Sequence, residues 1–242
     1  MRKILASIMV GGLLASGFAS TALADEELAS NMGGPLFDDS SVNRPIGFSF
    51  DFYGTGYTSI WIGSNGILAF TSGETDFSPS LGEFESDSSG PAIAPLWTDL
   101  SPNVAGSILY VDTVPGEMSV IYTNVPRFGA NTALNTFTVT LFSNGHIRYA
   151  YGDLLQGTSL EETIVGLTDR SGSPTQLIDL SAQGGTILLP VSGAFSIVGE
   201  LFDDPLGPAD LSNTTIDWVV PAPGALALLG LAGLVSRRRR RA

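Results

Sequence analysis

The chain contains no cysteine and a single histidine. Without cysteine there is no disulfide framework, no thiolate nucleophile and no zinc site built on sulfur. One histidine excludes a metal site that needs two imidazoles. His146 also lacks an activated serine partner, because no Gly-x-Ser-x-Gly elbow occurs. We therefore expect no catalytic residue, no metal ligand set and no enzymatic activity, and we interpret His146 as a residue of the hairpin that turns at Asn144-Gly145.

Basic residues are scarce between the two ends of the chain. Only four arginines stand among 24 acidic residues there, so the segment carries a net charge of −20. Such a domain repels nucleic acids and anionic lipid headgroups. This excludes DNA or RNA as a partner and favours a soluble monomer or association bridged by divalent cations. The four arginines are Arg44, Arg127, Arg148 and Arg170.

Residues 1–24 have the order of parts of a secretory signal peptide. Two basic residues precede the apolar run Ile4–Phe18, and the small-x-small triplet Ala22-Leu23-Ala24 follows. We predict that signal peptidase cleaves after Ala24. The alternative is an ordinary N-terminal helix, which the abrupt change to Asp25-Glu26-Glu27 disfavours.

Residues 219–242 contain a Pro-x-Pro breaker, the apolar run Gly224–Val235 and a cluster of arginines. As a helix this run spans about 18 Å at about 1.5 Å per residue, against about 30 Å of hydrocarbon. A positive cluster stays cytoplasmic, which would hold the acidic domain outside. The tail is therefore a marginal membrane anchor, a signal read by an enzyme, or both. The cluster consists of Arg237, Arg238, Arg239, Arg240 and Arg241.

The tail VPAPGALALLGLAGLVSRRRRR resembles the PEP-CTERM sorting tail, in which a Pro-Glu-Pro motif precedes a Leu/Gly/Ala-rich helix and terminal arginines. The resemblance implies an exosortase-type partner acting at Pro221-Ala222-Pro223 and at least transient residence in the inner membrane. Ala222 stands where the family usually has glutamate. Either a matched enzyme reads this variant motif or the tail stays attached as an anchor.

The sequence pattern in the middle of the chain predicts a series of short β-strands. Residues 46–54 alternate apolar and polar side chains, which is typical of a strand with one buried face. Residues 57–70 and 135–151 each contain two apolar runs joined by Asn-Gly, a strong hairpin signal. We predict an all-β fold, an antiparallel β-sandwich or flattened barrel, flanked by an N-terminal signal helix and a C-terminal hydrophobic helix. Further predicted strands are 92–100, 106–112, 118–125, 163–169, 175–180, 185–190, 193–200 and 215–220.

Composition divides the chain into five segments. Residues 76–91, rich in Ser, Asp, Glu and Gly, are expected to form an exposed loop, and 202–215 read as a linker. Residues 25–31 are a candidate helix. The predicted segments are a signal peptide (1–24), an N-terminal lead-in (25–44), a β-sandwich domain (45–201), a linker (202–218) and a sorting or anchor tail (219–242).

Three stretches of the middle are similar, in order and spacing, to the nidogen-type extracellular domain (the NIDO module). They are FSFDFYGTGYTSIWIGSNGILAF, IAPLWTDLSP and NTFTVTLFSNGHIRYAY with IVGLTD after it. The resemblance covers about residues 45–170. It implies a β-rich module of extracellular and matrix proteins with an adhesive or structural role, and it brings no catalytic residue set.

Candidate binding residues are few. Asp99 follows an apolar strand, and we expect its carboxylate to cap the turn at Ser101-Pro102, with ligand binding as the alternative. Specific calcium binding is the less favoured reading of the acidic loops, since none has the residue spacing of a calcium-binding loop. The aromatic candidates for a sugar platform are expected to fill the core instead. The acids considered for calcium are Asp76, Glu83, Glu85, Asp87, Asp38-Asp39 and Asp203-Asp204; the aromatics are Tyr53, Tyr57, Trp61 and Trp97.

Together these features predict a non-catalytic exported protein of the cell surface or extracellular matrix, with a structural or adhesive role in a matrix or biofilm. It is held at the envelope by its C-terminal helix, or released after processing. Its expected partners are signal peptidase, an exosortase-type enzyme, and extracellular polysaccharide or other surface proteins. The alternatives are a glycan-binding or glycan-cleaving module that uses the acidic loops with or without calcium, and a bulk acidic coat without a specific partner.

Overall fold

A computed structural model describes residues 25–30, 33–155, 162–172, 174–188, 195–202 and 210–219. They form two seven-stranded sheets, one short helix and a 3₁₀ turn. The elements are β1 (Asp25–Ser30), β2 (Ser41–Phe52), β3 (Thr55–Gly63), β4 (Leu68–Ala69), α1 (Leu81–Glu85), β5 (Ala92–Trp97), β6 (Ser107–Val111), β7 (Glu117–Arg127), β8 (Ala130–Phe142), β9 (Ile147–Tyr151), β10 (Thr163–Thr168), β11 (Thr175–Leu177), the 3₁₀ turn (Ser181–Gln183), β12 (Thr186–Leu188), β13 (Ile197–Phe202) and β14 (Thr215–Val219).

The strands form two mixed sheets. The first has the order β1-β6-β7-β8-β9-β14-β12, and the second β11-β13-β10-β5-β4-β3-β2. All pairs are antiparallel except β12 with β14 and β11 with β13, which are parallel. The all-β prediction is confirmed. A closed barrel is wrong, because both sheets of the described chain end in edge strands, and the purely antiparallel prediction is wrong at two edges.

The alternating pattern of the sequence determines which side chains enter the core. In β7 and β8, successive residues alternate between buried and partly exposed positions. The main core gathers apolar side chains from both sheets, with rings such as Phe50, Phe70 and Trp218 among them. Both Asn-Gly hairpins are confirmed: β3 pairs with β4 around Asn65-Gly66, and β8 pairs with β9 around Asn144-Gly145.

Four tyrosines of the first sheet reach across the core to backbone carbonyls of the second. The hydroxyl of Tyr122 donates to Gly63 O at 2.7 Å, and that of Tyr149 to Gly166 O at 2.9 Å. These bonds link the two layers directly and satisfy hydroxyls that burial would otherwise leave unpaired. The other two bonds run from Tyr110 to Pro45 O at 2.9 Å and from Tyr151 to Pro95 O at 2.7 Å.

The sheets extend beyond the predicted limits of 45 and 201. Residues 25–30, a candidate helix within the predicted lead-in, form β1 and pair with β6. Only Leu28 and Ala29 of this acidic strand are buried, and a register shift precedes Ala29. β14 confirms the predicted strand 215–220, overlaps the predicted linker and pairs with β9, and its Trp218 is fully buried. Two acid-rich or polar segments thus belong to the folded domain.

The predicted loop 76–91 is structured in its middle. Ser80 caps α1: its Oγ accepts from Glu83 N at 3.3 Å and donates to the Glu83 carboxylate at 2.5 Å. The Ser80 hydroxyl thus satisfies one backbone N–H at the start of the helix and is itself oriented by the Glu83 carboxylate. Phe84 of α1 is buried against Trp97, with ring centroids 6.0 Å apart. The segment is therefore a covering element of the second sheet rather than a fully exposed loop.

Several predicted signals lie outside the described residues. These are the cleavage site at Ala22 and Ala24, the sorting motif Pro221-Ala222-Pro223, and the flanking helices with the arginines Arg237 to Arg241. Within the part of the chain that the structure describes, no helix is long and apolar enough to cross a membrane.

Candidate metal centre

Three carboxylates from two segments that are distant in sequence meet at one end of the sandwich. Asp38 and Asp39 lie between β1 and β2, and Asp99 follows β5. One oxygen from each lies within 4.8 Å of the others. Sequence reasoning considered Asp99 and the pair Asp38-Asp39 separately, and the fold brings them together. At Ser101, where a turn cap by Asp99 is expected from the sequence, the backbone N–H donates to Pro126 O at 2.9 Å.

Asn65 of the first Asn-Gly turn holds the two segments of the cluster in place. Its Nδ2 donates to Asp39 Oδ1 at 3.0 Å and to Asp76 O at 3.2 Å. Its Oδ1 accepts from Leu100 N at 3.0 Å. The Asn65 side chain is buried and connects the loop before β2 to the segment after β5. An asparagine read from sequence as a turn residue is therefore also the main positioning residue of the cluster.

Serines fix the loop that carries Asp38 and Asp39. Ser40 N donates to Ser64 Oγ at 3.1 Å, and Ser64 N donates to Ser40 O at 2.9 Å. Ser40 Oγ accepts from Phe37 N at 2.7 Å and donates to Phe37 O at 2.6 Å. Asp39 takes a left-handed backbone conformation, with φ of 49°. The loop is thus held in one conformation by hydrogen bonds that do not involve Oδ1 of Asp38.

Burial shapes the electrostatics of the cluster. Burial and then the charge of Asp39 raise the pKa of Asp38, and the nearby Ser101 hydroxyl lowers it. Ser101 thus faces Asp38 closely enough to act on it, yet their oxygens do not reach hydrogen-bonding geometry. Among the described residues, Asp38 Oδ1 and Ser101 Oγ are buried atoms without a hydrogen-bond partner. Buried polar atoms without hydrogen-bond partners are uncommon in native proteins, so these two atoms need a physical explanation.

A buried arginine lies beside the cluster. Arg127 is 1% exposed, and its backbone forms an isolated bridge with Leu100. The next residue, Phe128, donates its N–H to Asp99 O at 3.0 Å. Counting Arg127 against the three carboxylates leaves two negative charges at this end of the sheet when all four groups are ionised.

Apolar rings are exposed around the same end. Phe37 is adjacent to Asp38, Phe77 follows Asp76, and Phe128 follows Arg127. These rings are 63%, 49% and 59% exposed, respectively. The aromatics considered as a sugar platform lie elsewhere: Trp97 is fully buried, Tyr53 and Tyr57 pack against the core, and Trp61 is half-buried.

A second acidic cluster is neutralised internally. Arg170 follows β10, and its Nη1 lies 3.0 Å from Glu74 Oε2 and 3.0 Å from Asp87 Oδ1. The same nitrogen donates to Ser89 Oγ, and the guanidinium lies 5.9 Å from the Trp97 ring centroid. This arrangement ties residues 74–89 to the end of β10. Asp87, which the sequence offered as a calcium ligand, thus belongs to an ion-pair network with Arg170.

Asp87 makes this network sensitive to acid. Burial acts to raise the pKa of Asp87, but hydrogen bonds from Ser89 and the charge of Arg170 outweigh it and lower the pKa below its ordinary value of 3.8. A lowered folded-state pKa contributes stability above the unfolded pKa, and that stability is lost as the pH falls through the folded value. We expect Asp87→Asn to unfold at a lower urea concentration than the wild type at about pH 7 and to approach it at about pH 3. A gap between the two midpoints that is constant with pH would contradict this assignment.

The remaining candidates have structural positions. His146 lies in the turn between β8 and β9, where its backbone N–H donates to Asn144 Oδ1 at 3.0 Å. Of the acids considered for calcium, Glu83 caps α1 and Glu85 accepts from Thr175 Oγ1 at 2.6 Å. Asp203 and Asp204 lie outside the described residues.

Comparison with known proteins gives one match. A family model described as NIDO related covers residues 17–190, which is most of the chain. No curated protein and no solved structure matches the sequence. The matched range includes β1 to β12 and all three carboxylates of the candidate metal centre.

Proposed function

Because the chain belongs to the NIDO-related family, an extracellular type of domain, we propose that it is a non-catalytic protein of the cell surface or extracellular matrix with a structural or adhesive role. The family match over most of the chain is the observation that carries this proposal. The fold is consistent with it, since two sheets packed around an aromatic core form a rigid module. The exposed rings of Phe37, Phe77 and Phe128 supply apolar surface of the kind that contacts other molecules.

The two ends of the chain serve delivery in this proposal. The signal peptide exports the domain and is removed after Ala24. The tail that follows β14 then holds the protein at the inner membrane, with its arginines on the cytoplasmic side. An exosortase-type enzyme acts at Pro221-Ala222-Pro223 and releases the domain or links it to surface polysaccharide. The short apolar run suits a transient span better than a permanent one.

Intact-mass analysis of the protein from its native cells tests both processing steps. We expect a mature chain that begins at Asp25 and lacks most of residues 222–242. A variant with Ala222→Glu, which restores the usual sorting motif, should be processed at least as completely. A variant with Ala24→Tyr, which places a large side chain at the cleavage position, should retain residues 1–24.

The outcomes separate the parts of the proposal. Residues 222–242 on every molecule, in both the wild type and the Ala222→Glu variant, would reduce the tail to a plain anchor. A retained residue 1–24 segment on the wild type would contradict export by signal peptidase. Hydrolysis of a polysaccharide by the purified protein would overturn the non-catalytic role.

A further inference from the structure

We propose that Asp38, Asp39 and Asp99 form a calcium site that fastens the loop before β2 to the end of β5. The inference does not depend on how the tail is processed. It rests on the spacing of the three carboxylates, on two buried oxygen atoms without partners, and on the local balance of charge.

The spacing of the carboxylates fits one cation. Calcium binds oxygen at about 2.3–2.6 Å, so two ligand atoms on opposite sides of one ion are about 5 Å apart. The three carboxylate oxygens all lie within 4.8 Å of one another. One ion can therefore contact Asp38, Asp39 and Asp99 without a movement of the backbone. Bidentate carboxylates and water complete the six to eight oxygens that calcium takes.

Ser101 supplies the second, independent observation. It is 1% exposed, and its Oγ has no hydrogen-bond partner among the described residues, although it faces the Asp38 carboxyl closely enough to influence it. Asp38 Oδ1 is likewise buried and without a partner in that part of the chain. Leaving a buried polar atom without a partner costs free energy. A cation beside Asp38 would bind Asp38 Oδ1, and it would also attract the oxygen of the Ser101 hydroxyl.

The charge balance favours a divalent ion. Like charges held this close oppose each other, and burial adds to the cost. Arg127 supplies one positive charge beside Leu100. Three carboxylates and one guanidinium leave a charge of −2, which one divalent cation neutralises. In the Arg170 network, by comparison, one guanidinium faces two carboxylates, those of Glu74 and Asp87, which leaves a charge of −1.

The protein also holds the ligands in advance. Asn65 fixes Asp39 through Nδ2, and its Oδ1 accepts from Leu100 N. A ligand whose orientation is set by a second hydrogen bond needs less reorganisation to bind metal. Magnesium demands a near-ideal octahedron and keeps its water, so an irregular site of three carboxylates and a hydroxyl suits calcium better.

Thermal unfolding of the full chain tests the site. The protein is stripped with a chelator and then titrated with calcium chloride, with magnesium chloride in a parallel series. We expect the midpoint temperature to rise with calcium over the range of about 0.1–1 mM that is usual for extracellular modules, and to rise less with magnesium. The variants Asp38→Asn and Asp99→Asn should weaken calcium binding at least about tenfold, because each removes a charged ligand.

The sequence offers a matched control. Phe-Asp-Asp occurs at 37–39 and again at 202–204. Asp203→Asn therefore makes the same chemical change at an aspartate that is not one of the three proposed ligands, and it should keep the full calcium response. Without calcium, Asp38→Asn should be at least as stable as the stripped wild type, because it relieves the repulsion between Asp38 and Asp39. An unchanged midpoint up to about 10 mM calcium, or an equal response in Asp99→Asn and the wild type, would overturn the proposal.

Discussion

Replacing Arg170 by methionine is expected to lower the free energy of unfolding by about 3–5 kcal/mol. The Arg170 side chain is 1% exposed, and its Nη1 contacts the carboxylates of Glu74 and Asp87. Methionine fills much of the same volume but leaves Glu74 buried without its cation. Removing one partner of a buried ion pair costs far more than the pair itself contributes. Urea denaturation followed by tryptophan fluorescence measures the change, since Trp97 lies beneath the guanidinium.

The chain provides a matched control for this substitution. Arg148 pairs with Asp217 at 2.7 Å, but both side chains are substantially exposed. Arg148→Met should therefore cost no more than about 1 kcal/mol, as is usual for surface ion pairs. Adding Glu74→Gln to Arg170→Met should recover part of the loss, because no buried carboxylate then lacks a counterion. Equal costs for the two arginine substitutions would contradict the assigned role of Arg170.

The two Asn-Gly hairpins should respond very differently to the same substitution. Gly66 and Gly145 both have positive φ, at 72° and 88°, so alanine at either position costs about 1–2 kcal/mol for the left-handed backbone. A Cβ on Gly66 would also lie 2.0 Å from Leu96 O, whereas a Cβ on Gly145 meets nothing within 4 Å. We expect this clash to add about 1–3 kcal/mol for Gly66→Ala alone.

Chemical denaturation of both variants under one set of conditions gives the comparison. The expected order of stability is wild type, then Gly145→Ala, then Gly66→Ala. Gly66→Ala should also weaken any calcium response, because Asn65 next to it positions Asp39. If the two alanine variants lose the same stability, the turn at 65–66 tolerates a Cβ and the packing of Gly66 on β5 is not a constraint.

Most of the β-structure follows from local pattern. Period-2 alternation and Asn-Gly turns predicted both hairpins and the central strands, because each strand buries one face and each turn needs positive φ. The exceptions have physical causes. β1 buries only two of its six residues, so its sequence is mainly acidic and polar and lacks the alternating apolar pattern of a strand. The parallel partners of β13 and β14 are three-residue strands reached through long connections, and short-range spacing carries no information on such pairings.

The candidate site shows a different limit. Its acids were visible in the sequence, but a search for ligands within one loop could not join Asp38 to Asp99, which only the packing of two loops brings together. Asn65 was identified as a turn residue, and its second role in holding Asp39 depends on tertiary contact. One local signal was present and unused: Ser80 and Glu83 have the spacing of a capping box and mark α1.

The cross-sheet tyrosines determine which reagents can open the sandwich. The two layers are linked by hydroxyl-to-carbonyl hydrogen bonds, as between Tyr122 and Gly63, and the chain has no sulfur–sulfur bond to reduce. Changes in the redox potential of the surroundings therefore leave these links intact, and refolding needs no covalent step. Burial raises the pKa of Tyr122, Tyr149 and Tyr151, so the donors keep their protons in the fold while strong alkali favours the unfolded chain. The contact between the two sheets is therefore sensitive to strong alkali and insensitive to thiol reagents.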